Sequence, residues 1–151
     1  MADTVQETIL ARLQVVLAGI TTGNGYNRTI HDVQRFTVAG ADFVSYPAIA
    51  FQAVSESVKA ATWPALDFEM TVAAEVWTEL DGSLYLDKEL NILMGDMQKA
   101  IMLDPQLNSL CKYCAITRRM YARSRDVQYG VGEVTLEIGY SADADDPTTG
   151  K

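Results

Sequence analysis

Leu66-Asp67-Phe68-Glu69-Met70-Thr71-Val72-Ala73-Ala74-Glu75-Val76-Trp77-Thr78-Glu79-Leu80 decides the fold. Leu66, Phe68, Met70, Val72, Val76 and Leu80 fall on one side of an extended chain, and Asp67, Glu69, Glu75 and Glu79 on the other. A period of two means that one face packs and the other meets water, the mark of a one-sided antiparallel sheet. At about 3.3 Å per residue the run spans roughly 50 Å, long for the core of one small domain, so part of it is expected to project toward a partner.

Two helices flank this strand in sequence. Thr4-Val5-Gln6-Glu7 has capping-box form, with the Thr4 hydroxyl and the Glu7 carboxylate each expected to take a free amide of the first turn. Val5, Ile9, Leu13, Val16, Leu17 and Ile20 then recur at steps of three and four, and Gly23 and Gly25 stop the helix. Asp81-Gly82-Ser83 reads as a turn. Leu86, Leu90, Leu93, Met94, Met97 and Ile101 form a second apolar stripe that ends before Asp104-Pro105.

Shorter β signals fill the rest. His31–Val38 alternates loosely. Pro47 opens but cannot lie within a strand, so Ala48–Val54 is expected near a sheet edge, followed by an exposed loop over Ser55–Pro64. Lys112–Arg123 is expected as a strand with Cys114, Ile116 and Met120 on one face. A last strand has Val134, Leu136, Ile138 and Tyr140 alternating with Glu133, Thr135 and Glu137. Ser124–Gly132 joins the two, with Gly130 and Gly132 inviting a bulge or turn. This order does not alternate as a doubly wound sheet does. The expected class is α+β, a mainly antiparallel sheet of about four to five strands with two main helices, as one domain over residues 1–140 and a flexible acidic tail over 141–151.

Composition narrows the function. The chain has 151 residues, 48% of them hydrophobic and 21% charged, which supports a packed core without staples. Twelve Lys and Arg against twenty Asp and Glu give a charge of −8, which disfavours general affinity for nucleic acid or anionic membrane. Apolar runs are too short to span a bilayer, and Asp3 and Glu7 stand where a signal peptide needs a basic start.

Chemistry-bearing motifs are sparse. The single histidine, His31, has no nucleophile context. Cys111 and Cys114 have C-x-x-C spacing but lack the further ligands of a zinc site and the helix start of a redox pair, so they are read as two small semi-buried thiols. The acidic residues Asp67, Glu69, Glu75 and Glu79 can gather a cation, though an alternating solvated face explains them as well. No phosphate-binding loop, dinucleotide fingerprint or EF-hand loop occurs. The chain is expected not to be an enzyme, with no catalytic residue, cofactor or metal.

Charge is unevenly placed. No acidic residue lies between Asp104 and Asp126, whereas Lys112, Arg118, Arg119, Arg123 and Arg125 supply five of the twelve basic residues. Arg119, Tyr121 and Arg123 on one strand face can contact nucleic acid through phosphate pairing and stacking. They can instead meet the acidic face of a neighbouring copy, and such head-to-tail contacts close into rings.

Four stretches resemble the tail terminator (tail completion) proteins of long-tailed bacteriophages. They are the helix Glu7-Thr8-Ile9-Leu10-Ala11-Arg12-Leu13 running into Gly23-Asn24-Gly25-Tyr26-Asn27; Tyr46-Pro47-Ala48-Ile49; the Leu90–Ile101 helix ending at Asp104-Pro105-Gln106-Leu107; and Val131-Gly132-Glu133-Val134-Thr135-Leu136-Glu137-Ile138-Gly139-Tyr140. The resemblance covers nearly the whole chain and rests on order and spacing. It implies a structural virion protein at the head-proximal end of the tail, assembled in the host cytoplasm. Such a protein forms a ring, typically a hexamer, that caps the tail tube, ends tube polymerisation and presents the attachment surface for a head-tail connector or neck protein, with DNA passing through its lumen without specific binding.

The family carries over no functional residues, so site expectations rest on this sequence. Arg118, Arg119, Arg123 and Arg125 are expected to meet Asp67, Glu69, Glu75 and Glu79 of the next subunit. Val58, Lys59 and Trp63 are expected to contact tube or neck. Rival readings are another head-tail joining protein, a small nucleic-acid-binding domain using the basic strand, and an enzyme with a metal at the acidic face.

Overall fold

A computed structural model describes residues 2–35, 43–79, 85–123 and 129–150, without the side chains of 122 and 123. Helix α1 (Val5–Ala18) is capped at Thr4, whose Oγ1 accepts from the Glu7 amide at 3.2 Å. Only half of the expected capping box forms, because the Glu7 carboxylate is held by the Arg35 guanidinium. Strand β1 is short (Asp32–Gln34). It is followed by β2 (Ala48–Thr62), β3 (Ala65–Glu79), helix α2 (Leu86–Leu103), β4 (Tyr113–Arg123) and β5 (Tyr129–Asp143). The sheet order is β1-β2-β3-β5-β4, antiparallel except for the β1–β2 pair. The class is α+β.

The long central strand is present with its expected alternation. Met70, Val72, Ala74 and Val76 are buried, and Ile49, Phe51, Val134, Leu136 and Ile138 share their face. Both helices cover that face: Ile9, Leu13 and Leu17 of α1 and Leu93, Met94, Met97 and Ile101 of α2 are fully buried in the same core. Burying an aliphatic side chain of this size contributes about 1.5–3 kcal/mol, so this one-sided core supplies the main driving force.

Several expectations are corrected. Ser55–Thr62 is not a loop: β2 runs unbroken through it and turns at Trp63-Pro64 into β3, so that Ala48 to Thr62 pairs with Trp77 to Ala65 along a 15-residue hairpin. Every residue from Ala53 to Thr62 is exposed, and beyond Ala50 this strand has no neighbour on its outer side among the described residues. Ser141–Asp143, expected to begin a loose tail, completes β5 against β3. The following segment returns to the fold, where the Val5 amide donates to the Pro147 carbonyl at 2.9 Å.

Gly130 and Gly132 lie within β5 rather than in a turn. A Cβ on Gly130 would come within 2.3 Å of a Leu86 methyl, and one on Gly132 within 3.0 Å of the Met94 sulfur, so these glycines let α2 approach the sheet. The expected Asp81-Gly82-Ser83 turn, the end of the 31–38 strand, Leu80 and Arg125 lie outside the described residues.

Candidate functional site

The molecule presents three distinct surfaces. The first is the sheet face away from the helices. Cross-strand partners share a face, and register places Asp67, Glu69, Thr71, Glu75 and Trp77 of β3 beside Ser141, Gly139, Glu137, Glu133 and Val131 of β5. The acidic residues expected on one strand are therefore joined by two more glutamates from its neighbour. Glu75 lies directly opposite Glu133. Burial pushes the Glu75 carboxyl up and Glu133 pushes it further, against an opposing hydrogen bond from Trp77 Nε1 at 3.2 Å. Glu137 accepts from the Thr71 hydroxyl. Among the described residues, no ion pair reaches Glu75, Glu133 or Glu137.

Nearer the hairpin turn the acids are satisfied within the chain. Lys112 Nζ stands 2.7 Å from Asp67 and, together with the Ser141 hydroxyl, holds that carboxyl below the usual range. Glu69 accepts from the Tyr113 hydroxyl at 2.6 Å and pairs with Lys59 at 3.1 Å, which lowers it too. The same bond pushes the Tyr113 phenol up to about 12. The Tyr113 ring lies over Gly139, whose Cβ would fall 2.3 Å from it. At the other end of the face Phe43, Tyr46, Trp77 and Tyr129 form an aromatic cluster, with Tyr46 and Tyr129 centroids 5.0 Å apart.

The second surface is the β4 edge. Cys114 and Ile116 point to the core opposite Ile138 and Leu136, but a bulge between Ile116 and Arg118 resets the alternation. Met120, expected beside Cys114 and Ile116, is thereby moved to the open face opposite Glu133. Arg119 and Tyr121 take the helix side, bonding Gln98 and Asn91 of α2. Arg118 takes the open face opposite Thr135, so the arginine cluster is split between two faces. Arg123 belongs to β4 by its backbone.

The third surface is the outer hairpin, with Val54 60%, Val58 55% and Trp63 at the turn 78% exposed. Of the residues expected to contact tube or neck, Val58 and Trp63 are exposed, while Lys59 is engaged by Glu69. Glu79 is exposed at the far end of β3, a strand length from the Asp67–Lys112 pair.

The remaining candidates sit apart. His31 is exposed, and its amide donates to the Pro47 carbonyl at 2.9 Å. Cys111 and Cys114 are free and buried. Burial, with Asp104 nearby, pushes the first thiol up to about 11, and burial with Cys111 nearby pushes the second to about 12. Both are protonated and poorly nucleophilic at neutral pH. Among the described residues no group of three His, Cys, Asp or Glu can hold a metal ion, and no helix is long and apolar enough to cross a membrane.

No family model matches the chain, and no curated protein matches it. Among solved structures it is similar to a chain of the virion of a native gene transfer agent (GTA) particle, at 9% identity and a TM-score of 0.49, over 92% of this chain and 96% of that one. A likeness this distant transfers neither activity nor partner.

Proposed function

We propose that this chain is a non-enzymatic structural protein of a virion that forms a ring on the end of a tail tube, stops tube growth and offers the surface to which the head or neck joins. The observation that carries this reading is the hairpin. Ten consecutive exposed residues of β2, Ala53–Thr62, run along the open edge of the sheet to the Trp63 turn, and none of them belongs to the buried core. An exposed strand edge that ends in an exposed tryptophan suits docking on a partner, because aromatic anchors carry much of the energy of protein interfaces. Glu75, Glu133 and Glu137 on the open face, which no ion pair reaches among the described residues, suit a bore that repels DNA phosphates, and the arginine-bearing β4 edge suits a head-to-tail contact.

The nucleic-acid reading is less well supported. It uses Arg119 and Tyr121 as a stacking and phosphate-pairing platform, but Arg118 lies on the opposite face of β4 and the chain carries a net charge of −8. The proposal is tested by the mass of the purified protein in light scattering, alone and with assembled tail tubes. Rings near six chains, or tubes whose growth the protein stops, are expected. A persistent monomer that ignores tubes and binds DNA in a salt-sensitive way overturns the reading.

A further inference from the structure

Among the described residues two strand edges of this sheet are open. Strand β1 covers β2 only at Ala48–Ala50, and among the described residues nothing pairs with the outer side of β2 beyond that point. Strand β4 ends the sheet on the other side. Exposed strand edges are templates for further pairing. Here the two edges run in opposite directions, since β2 and β5 are each antiparallel to β3 and β4 is antiparallel to β5. Placed side by side in two copies related by a ring rotation, they form an antiparallel pair.

Bulges restrict where pairing can occur. Those in β2 fall at Ala53/Ser55 and Val58/Ala60, and the one in β4 at Ile116/Arg118, which divides β2 beyond Ala50 into regular runs at Phe51–Ala53, Ser55–Val58 and Ala60–Thr62, and β4 into Tyr113–Ile116 and Arg118–Arg123. Charge then selects the register. Glu56 lies on the helix side opposite Met70, and Arg119 lies on the helix side opposite Val134. Gln6 and Tyr140 both donate to Oε2 of Glu56, leaving its Oε1 without a donor among the described residues. Among the described residues Arg119 bonds a neutral amide and makes no ion pair, and neither does Arg118.

We propose that the β2 edge of one copy pairs antiparallel with the β4 edge of the next, with Glu56 opposite Arg119, Ser57 opposite Arg118 and Ser55 opposite Met120. This rests on the ring reading above and names its contact. Val54 then falls beside Tyr121, joining two exposed apolar side chains.

The register has a geometric consequence. Arg118 stands level with Ala73 of its own β3 through Thr135, whereas Ser57 stands level with Glu69, so adjacent copies are offset by four residues. That offset is about 13 Å over the four strand spacings of one copy, about 19 Å in all, a tilt of about 35°, close to the tilt closed sheets adopt. The short regular runs also keep the contact from extending without limit, as unbroken edges do.

The test is disulfide trapping between Ser55→Cys and Met120→Cys, each in a separate full-length chain. The native thiols are buried and react slowly. Mixed on tail tubes under mild oxidation, the two variants are expected to give a 55–120 cross-linked dimer that neither gives alone. Self-cross-linking of either variant shows an isologous contact and overturns the proposal. Rings that form without any 55–120 product overturn the edge pairing and leave the ring reading standing, whereas absence of any assembly on tubes overturns both. Glu56→Arg and Arg119→Glu provide an independent readout: each alone is expected to weaken assembly at least tenfold, and the two together to restore it. Failure of the double variant to recover, with its fold intact by circular dichroism, also refutes the register.

Discussion

Glu75→Gln is expected to stabilise the protein at neutral pH, and the size of the gain follows from the sheet. Glu75 faces Glu133 directly across the β3–β5 pair, and burial together with that neighbour raises its carboxyl above the ordinary value of 4.5. Like charges directly opposite on a sheet cost up to about 1 kcal/mol, and solvent screening of this half-exposed position reduces that to about 0.5 kcal/mol. For a domain of this size the gain raises Tm by about 1–2 °C. Glutamine is isosteric and keeps an oxygen to accept from Trp77 Nε1.

The pH dependence carries the sign. A carboxyl raised on folding costs nothing below its unfolded value, where both states are protonated, and costs progressively more as pH rises through the folded value. Thermal melts of both proteins from pH 3 to pH 8 are therefore expected to coincide near pH 3 and to separate above about pH 4.5, with the variant more stable. At 0.5 M salt, where the Debye length is about 4 Å, the gap narrows. A variant that is less stable at pH 8, or a gap that persists unchanged at pH 3, refutes the reasoning.

Three further outcomes are expected. Asp104→Ala removes the acceptor for Arg12 at 2.9 Å and for the Asn108 amide at 2.8 Å, which holds a turn of three left-handed residues, Leu107, Asn108 and Ser109; it should cost about 1.5 kcal/mol, or about 3–6 °C in Tm. These bonds hold the Asp104 carboxyl below its ordinary 3.8, so the loss relative to wild type is full above that pH and fades as pH falls through the lowered value. Gly139→Ala evicts the Tyr113 ring and breaks its bond to Glu69, so a phenol that titrates near 12 returns toward about 10, which NMR of labelled tyrosine reads directly. Trp63→Ala, at an exposed turn, should leave Tm within about 1 °C while weakening binding to tail tubes by about 30-fold, the loss of a hot spot of about 2 kcal/mol.

What the sequence made legible was whatever a buried face wrote into it. The alternation of Met70, Val72 and Val76, the stripes of α1 and α2 and the Val134–Ile138 alternation all record contact with one core, and each element lies where its pattern places it. The outer half of β2 left no such record. Ser55, Ser57, Ala60 and Ala61 are small and exposed, and Glu56 and Lys59 make polar contacts, so no apolar stripe marks the strand there and backbone pairing with β3, which has no hydrophobic period, holds it. The bulge after Ile116 was equally silent, because no glycine marks it, and one extra residue sends Met120 and Arg119 to opposite faces from those that simple alternation gives.

Gly130 and Gly132 were visible as exceptions, but a strand glycine signals either a turn or a close approach, and only the position of Leu86 and Met94 decides between them. Of the candidate interface residues, the uneven placement of charge was readable from composition. The in-chain partners of Asp67 and Glu69 were not, since Lys112 and Tyr113 lie more than forty residues away in sequence.

The most direct test of the central claim is where the protein sits on a tail tube. Negative-stain imaging of tubes incubated with gold-labelled protein is expected to show a single ring of label at one end of each tube, with no growth beyond it. Label along the tube wall, at both ends alike, or absent from tubes while present on free DNA contradicts the account.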